Sequence, residues 1–212
     1  MKPTLIYLIR HGESEGNADW SLYKKVPDWQ LRLTDKGHKQ AKAMAEELYK
    51  DLKPGLIPIQ IYSSPWYRAR ETAQAIRDRF DRVQYREDPR LREQEWGNYQ
   101  EDHLAQKIDR ERDKFGTFFY RMPYGESGAD VFDRISSFLD TMYRDFEKKD
   151  FPPAVCITSH GLTIRLFLMR WFHWTVEEYE ALRNPKNCAI IKMQKYGNKY
   201  FLETPLDRRA GR

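Results

Sequence analysis

Apolar residues along the chain fall into two patterns. Short apolar runs at Leu5–Ile9, Ile59–Tyr62, Val83–Arg86, Ala154–Thr158, Ala189–Gln194 and Tyr200–Glu203 are candidate strands. Longer segments of helical period at Asp35–Leu52, Pro65–Phe80, Ala129–Lys148, Leu162–Phe172 and Val176–Leu182 are candidate helices. The first helix follows Thr34, a good N-cap residue, and sets Ala41, Ala45 and Leu48 on one face. The third carries an apolar stripe of Val131, Ile135, Phe138, Leu139 and Met142. Pro65 is placed at the first position of the second, where its missing N–H costs nothing. Strand–helix alternation predicts an α/β sandwich with a largely parallel central sheet. No repeat, low-complexity stretch or linker interrupts it, so residues 1–212 read as a single domain.

Composition narrows the class without changing the fold. With 40% hydrophobic and 33% charged residues the chain has ordinary globular usage, not that of a disordered segment. No apolar run approaches the roughly 18 residues of a membrane span, and the first run is too short for a signal peptide, so a cytoplasmic location is expected. Cys156 and Cys188 sit in or beside apolar runs and read as small core residues, not as a disulfide or metal pair. The formal net charge is +5, but the basic residues are interleaved with acids, as in Arg68-Ala69-Arg70-Glu71 and Arg110-Glu111-Arg112-Asp113-Lys114. Solvated helix faces explain that pattern better than nucleic-acid binding does. A small anionic substrate is the other natural partner of a basic enzyme. Nothing in the pattern specifies an oligomeric state.

Ligands of open α/β sheets bind beyond the C-terminal ends of the strands. Arg10-His11-Gly12-Glu13-Ser14-Glu15-Gly16-Asn17 follows the first strand, and Ser63-Ser64-Pro65-Trp66-Tyr67-Arg68 the second. Leu91-Arg92-Glu93-Gln94-Glu95 follows the third, and Ser159-His160-Gly161 the fourth. Four distant segments therefore deliver two arginines, two histidines and a carboxylate to one edge of the sheet.

That set is suited to phosphoryl transfer. Arg10 and Arg68 can clamp phosphate oxygens through their planar forks. Asn17 can add a neutral donor, and the amides of the helix that starts at Gly161 can add more. His11 can attack phosphorus in line, and His160 can donate to the non-bridging oxygens. Glu93 can protonate the leaving oxygen and then deprotonate the hydrolytic water. The two guanidinium charges are expected to depress the His11 pKa and keep the ring neutral and nucleophilic.

Five motifs in order resemble the histidine phosphatase, or phosphoglycerate-mutase-like, superfamily. They are Arg10-His11-Gly12-Glu13-Ser14, Ser64-Pro65-x-x-Arg68-Ala69-x-Glu71-Thr72, Leu91-x-Glu93, Gly125-Glu126-Ser127 and Ser159-His160-Gly161. The resemblance runs from Leu5 to about Leu166. It implies a three-layer α/β/α sandwich, His11 as the phosphorylated nucleophile and Glu93 as the proton donor. It also implies a phosphate pocket of Arg10, Asn17, Arg68 and His160, with no cofactor. Ser14 stands where the secreted acid phosphatase and phytase branch has arginine, so the chain is similar to the other branch. Phe119 to Ser127 resembles plant and fungal phosphoglycerate-mutase-like phosphatases and, more loosely, the phosphatase domain of the bifunctional fructose-2,6-bisphosphate enzyme.

Competing readings attach to the same residues. His11, His160 and Glu93 could form a metal triad, but Arg10 and Arg68 would repel a divalent ion. Glu95 competes with Glu93 as the acid. Residues 96–124 read as a lid over the pocket, bringing Arg110, Arg112, Lys114 and Arg121 with Phe115, Phe118, Phe119 and Tyr120. The same segment also reads as a basic amphipathic helix packed by its aromatics. Lys24 and Lys25 could reach substrate, and the tail Arg208–Arg212 is expected to be disordered and solvated. The leading function is a metal-independent phosphatase acting on a small phosphorylated metabolite. The alternatives are a mutase, which returns the phosphoryl group to substrate, a fructose-2,6-bisphosphatase-like activity, and an inactive phospho-ligand scaffold. Only about thirty residues separate Glu93 from Gly125, a small cover for the water exclusion a mutase needs.

Overall fold

The computed structural model describes residues 2–52, 58–97 and 102–209, with backbone only for 102–106. Its six strands are β1 (Leu5–Arg10), β2 (Ile59–Ser63), β3 (Val83–Glu87), β4 (Ala154–Ser159), β5 (Ile190–Tyr196) and β6 (Lys199–Leu202). They form one sheet in the order β3-β2-β4-β1-β5-β6. The first four run parallel, and β5 and β6 add an antiparallel edge.

Side chains of successive strand residues point to opposite faces, and each face has its own core. Ile6 and Leu8 of β1, with Val155 and Ile157 of β4, pack on α5 (Gly128–Phe146) and α6 (Gly161–Phe172). Tyr7, Ile9, Ile59 and Ile61 face α2 (Asp35–Leu52) and α3 (Tyr67–Arg79). This is the expected three-layer α/β/α sandwich. Ile6, Leu8 and Ile9 are completely shielded from solvent. Each such side chain contributes about 1.5–3 kcal/mol relative to exposure, so the central strands are anchored from both sides.

Helix starts follow local chemistry. The Thr34 hydroxyl accepts the Gly37 N–H at 3.0 Å, the N-cap bond expected there. Ser127 caps α5 in a reciprocal pair with Asp130. Pro65 is not the first residue of α3: that helix begins at Tyr67, after a turn in which the Ser64 hydroxyl accepts the Trp66 N–H at 3.3 Å. The short α1 (Glu15–Ala18) and the 3₁₀ turns Trp20–Lys24, Asp28–Gln30 and Pro89–Leu91 lack any apolar period that would reveal them.

Within residues 96–124 the chain forms α4 (Asp102–Phe115), while 98–101 lie outside the described residues. A short α7 (Val176–Glu180) follows α6, and its Glu180 carboxylate accepts the Phe118 N–H at 2.7 Å, tying the turn after α4 to the body. The tail departs from expectation at its start. Arg208 forms a bridge with Leu182, and the Arg209 N–H donates to the Ala181 carbonyl at 2.8 Å. Backbone pairing orders these two residues; 210–212 lie outside the described residues. Among the described residues no helix is long and apolar enough to cross a membrane.

Candidate active site

Strand register decides what meets at the sheet edge. Arg10 pairs with Ser159 and Ser63 with Thr158, so the residues that follow β1, β2 and β4 emerge side by side. His11 and His160 meet with ring centroids 5.1 Å apart, and the Trp66 ring stands edge-on to His160 at the same distance. His160 is fully buried behind the cavity, and its Nε2 lies 2.8 Å from the Ser64 hydroxyl. Arg10, His11, Asn17, Arg68 and Glu93 line a cavity of about 970 Å³.

The tautomer of His11 follows from its neighbour. Nδ1 lies 2.7 Å from the Gly12 carbonyl oxygen, which can only accept. Nδ1 therefore carries the proton of the neutral ring and Nε2 keeps its lone pair. Burial above all, then the charges of Arg68 and Arg10, hold His11 well below the usual imidazole value. The expected direction is right, but desolvation outweighs the arginines. Burial and Arg68 likewise keep His160 neutral.

The loop after β1 is fixed by close packing. The Gly12 N–H donates to the Thr72 hydroxyl at 3.0 Å, and that hydroxyl donates to the Arg68 carbonyl at 2.7 Å. A Cβ on Gly37 would lie 2.1 Å from the Glu13 carbonyl oxygen, so only glycine lets α2 approach this loop. From the other side, Arg10 donates to the Pro185 carbonyl at 2.7 Å, and the Asn187 amide donates to the His11 carbonyl at 3.0 Å. Cys188, with φ of 56°, donates its N–H to the Arg10 carbonyl at 3.0 Å. Both cysteines are unpaired thiols, Cys156 buried and Cys188 half-buried.

Asn17 is oriented by its acceptor side. Its Oδ1 takes the Ser14 N–H at 3.2 Å and the Asn187 amide at 3.1 Å, leaving its own NH₂ for the cavity. Arg68 is buried and donates to both the carbonyl and the carboxylate of Asp28, each at 2.7 Å. Arg10 Nε, Arg68 Nε and His160 Nδ1 are buried with no hydrogen-bond partner among the described residues. Buried polar atoms are almost always satisfied, so the two orphaned guanidinium N–H groups beside the His160 ring mark a place for a ligand with acceptors.

Glu93 is held from two directions. Its carboxylate accepts from the Leu162 and Thr163 amides at 3.4 and 3.3 Å and from the Thr163 hydroxyl at 3.1 Å. The start of α6 thus serves a carboxylate, as the helix dipole favours, and these two amides are not the free phosphate donors expected from sequence. Gly161, the first helical residue, instead admits Asn184, whose Cγ would stand 2.8 Å from a Cβ there. Beneath Glu93, Arg134 donates to the carbonyls of Arg90, Arg92 and Glu93 at 2.5, 2.9 and 3.0 Å and pairs with Glu126 at 3.0 Å. Glu95, exposed, reaches the cavity without comparable bracing among the described residues.

Of the cationic residues expected on a lid, Arg112 lines the cavity, while Arg110 and Lys114 are exposed and Arg121 pairs with Asp130 at 2.6 Å. Phe118 is buried; Phe115 and Phe119 are exposed. Lys24 and Lys25 are not among the lining residues. Among the described residues no three His, Cys, Asp or Glu side chains are grouped to hold a metal ion. Sequence reasoning missed Asp28, Arg134, Asn184 and Asn187, whose roles depend on long-range partners and carry no local signature.

Comparison with known proteins agrees with this fold. The phosphoglycerate mutase-like protein AT74 of Arabidopsis thaliana is 42% identical over 91% of the chain, which spans 65% of that relative's length. The broad-range acid phosphatase DET1 of Saccharomyces cerevisiae is 29% identical over 98% of the chain and 90% of its own length. A solved mycobacterial glucosyl-3-phosphoglycerate phosphatase shares the fold with a TM-score of 0.72 and 23% identity, covering 95% of this chain and 98% of its own. The sequence profile of the histidine phosphatase superfamily (branch 1) matches residues 6–207, and the chain belongs to that superfamily.

Proposed function

We propose that the protein is a metal-independent phosphatase that hydrolyses a small phosphomonoester through a phosphohistidine at His11. One observation carries the reading: His11 Nδ1 lies 2.7 Å from the Gly12 carbonyl, which leaves Nε2 its lone pair, beside buried Arg10 Nε, Arg68 Nε and His160 Nδ1 atoms that lack hydrogen-bond partners among the described residues. Arg10, Asn17, Arg68 and His160 hold the phosphoryl oxygens, and Gly161 leaves room for Asn184 in the cavity wall. His11 Nε2 attacks phosphorus, the P–N bond forms and the P–O bond to the leaving group breaks. Glu93 gives its proton to the departing oxygen. Water then attacks phosphorus, gives a proton to Glu93, and the P–N bond breaks to release inorganic phosphate.

Two relatives with phosphatase names support hydrolysis: DET1 and the metal-independent phosphoserine phosphatase of Arabidopsis thaliana, 28% identical over 79% of the chain. The unpaired thiols of Cys156 and Cys188 suit a reducing compartment, and we place the enzyme in the cytoplasm. Arg112, from α4, belongs to a cover over the cavity. Incubation of the chelator-treated protein with 3-phosphoglycerate separates the two reaction types. Free phosphate supports hydrolysis, and 2-phosphoglycerate supports the mutase reading.

A further inference from the structure

We propose that the leaving group accepted by this site carries a flat aromatic ring, a substrate class that rests on the phosphatase reading above. The cavity is far larger than a phosphate needs, and its walls beyond the cradle are aromatic. Four of the six tryptophans of the chain line it, Trp20, Trp29, Trp66 and Trp96, together with Tyr23. Trp66 forms the floor against His160. The others come from two separate segments, the turns that follow α1 and the stretch just after Glu93.

These rings are positioned. A Cβ on Gly16 would lie 2.6 Å from Tyr23 Cζ, so the phenol ring seats directly on the α1 backbone. Trp29 stands edge-on to Tyr67 with centroids 5.3 Å apart, and Arg112 lies over the Trp96 ring at 4.7 Å. Yet Trp20 and Trp29, which both line the cavity, keep 40% and 44% of their surface exposed. Large part-exposed indoles lining the same cavity as the cationic cradle suit a ligand that covers them.

The charges point the same way. Arg70, the cation next to Arg68 on α3, is paired with Glu87 at 3.1 Å. Among the lining residues Asp28, Glu87, Glu93 and Glu95 balance Arg10, Arg68, Arg70 and Arg112 in number. That balance leaves no surplus of positive charge in the lining for a second anionic group, and a neutral polarizable ring needs none. Arg112 Nε, buried and without a hydrogen-bond partner among the described residues, offers one donor to a ring nitrogen or hydroxyl.

The test uses substrate pairs that differ in the ring and not in the leaving oxygen. Benzyl phosphate is compared with cyclohexylmethyl phosphate, and adenosine 5′-monophosphate with ribose 5-phosphate; phosphotyrosine separates a phenolic source from a nucleoside one. The aromatic member of each pair is expected to have kcat/KM higher by about tenfold or more, the usual worth of ring stacking. Trp29→Leu and Trp20→Leu should bring the ratio toward one. Equal or inverted ratios overturn the ring preference while His11-dependent turnover keeps the phosphatase reading. If nothing is turned over, the phosphatase reading fails instead. Binding of the nucleotide pair to the His11→Ala variant, read by indole fluorescence, then decides the ring preference: tighter nucleotide binding upholds it and equal binding overturns it.

Discussion

Arg68 spends one guanidinium nitrogen on Asp28, donating to its carbonyl and its carboxylate at 2.7 Å each, inside the cavity proposed to hold a phosphate dianion. The side chains are 3% and 16% exposed, so little water screens the pair. Asp28 both aims Arg68 and brings a negative charge to the cradle; burial pushes its carboxyl above the usual range, against the pull of Arg68. Asp28→Asn keeps an acceptor and removes the charge. Competitive inhibition by orthophosphate at neutral pH should tighten about fivefold, the worth of roughly 1 kcal/mol of relieved repulsion. Weaker inhibition would mean that the charge matters more for aiming Arg68 than for opposing phosphate.

The α6 amides and Thr163 fix the Glu93 carboxylate, which in the proposed reaction acts as acid and then as base. Glu93→Gln should lower turnover of alkyl phosphomonoesters by roughly 10²–10⁴-fold. With 4-nitrophenyl phosphate, whose leaving phenolate needs no proton, phosphorylation should survive while hydrolysis of the phosphoenzyme slows. Rapid-quench kinetics should then show a burst of nitrophenolate. Equal slowing of both substrate types with no burst would remove Glu93 from both steps.

Arg134 supports that carboxylate through three main-chain carbonyls and Glu126. A lysine has one nitrogen and cannot span them. Arg134→Lys should lower kcat about tenfold with KM little changed, and cost about 2–3 kcal/mol in urea unfolding, because buried carbonyls and Glu126 lose partners.

Two buried neutral imidazoles make stability depend on pH. Unfolded histidines titrate near 6.5, whereas His11 and His160 resist protonation until well below that value. Below pH 6.5 the unfolded chain therefore binds protons that the native chain does not, and stability falls as pH falls. The loss approaches about 1.4 kcal/mol per pH unit for each histidine. Asp28 acts in the opposite direction, so the readout is the difference between proteins. From pH 7.5 to 5.5 the urea midpoint of the native sequence should fall more steeply than that of His160→Asn. Parallel curves would contradict the assignment.

Much of the sheet was legible because β1, β2 and β4 are buried on both faces, which leaves compact apolar runs. The stripes of α2 and α5 were equally plain. Convergence at the sheet edge followed from strand order, since a parallel sheet brings its loop residues to one side. What stayed hidden depends on partners far along the chain. Arg134 gains its meaning only from carbonyls more than forty positions away. Asp28 lies in a 3₁₀ turn with no periodic signal, and Asn187 reads as an ordinary loop residue until it is seen against His11 and Asn17. The amides of α6 were legible as donors, but their recipient, Glu93, was not.

The central claim is a covalent bond from phosphorus to His11 Nε2. Quenching the protein during turnover of a radiolabelled phosphomonoester, followed by peptide mapping under alkaline conditions, tests it directly. Acid-labile, alkali-stable label on the peptide containing His11, absent in His11→Ala together with turnover, is the predicted result. Label on another residue, or full turnover by His11→Ala, would contradict it.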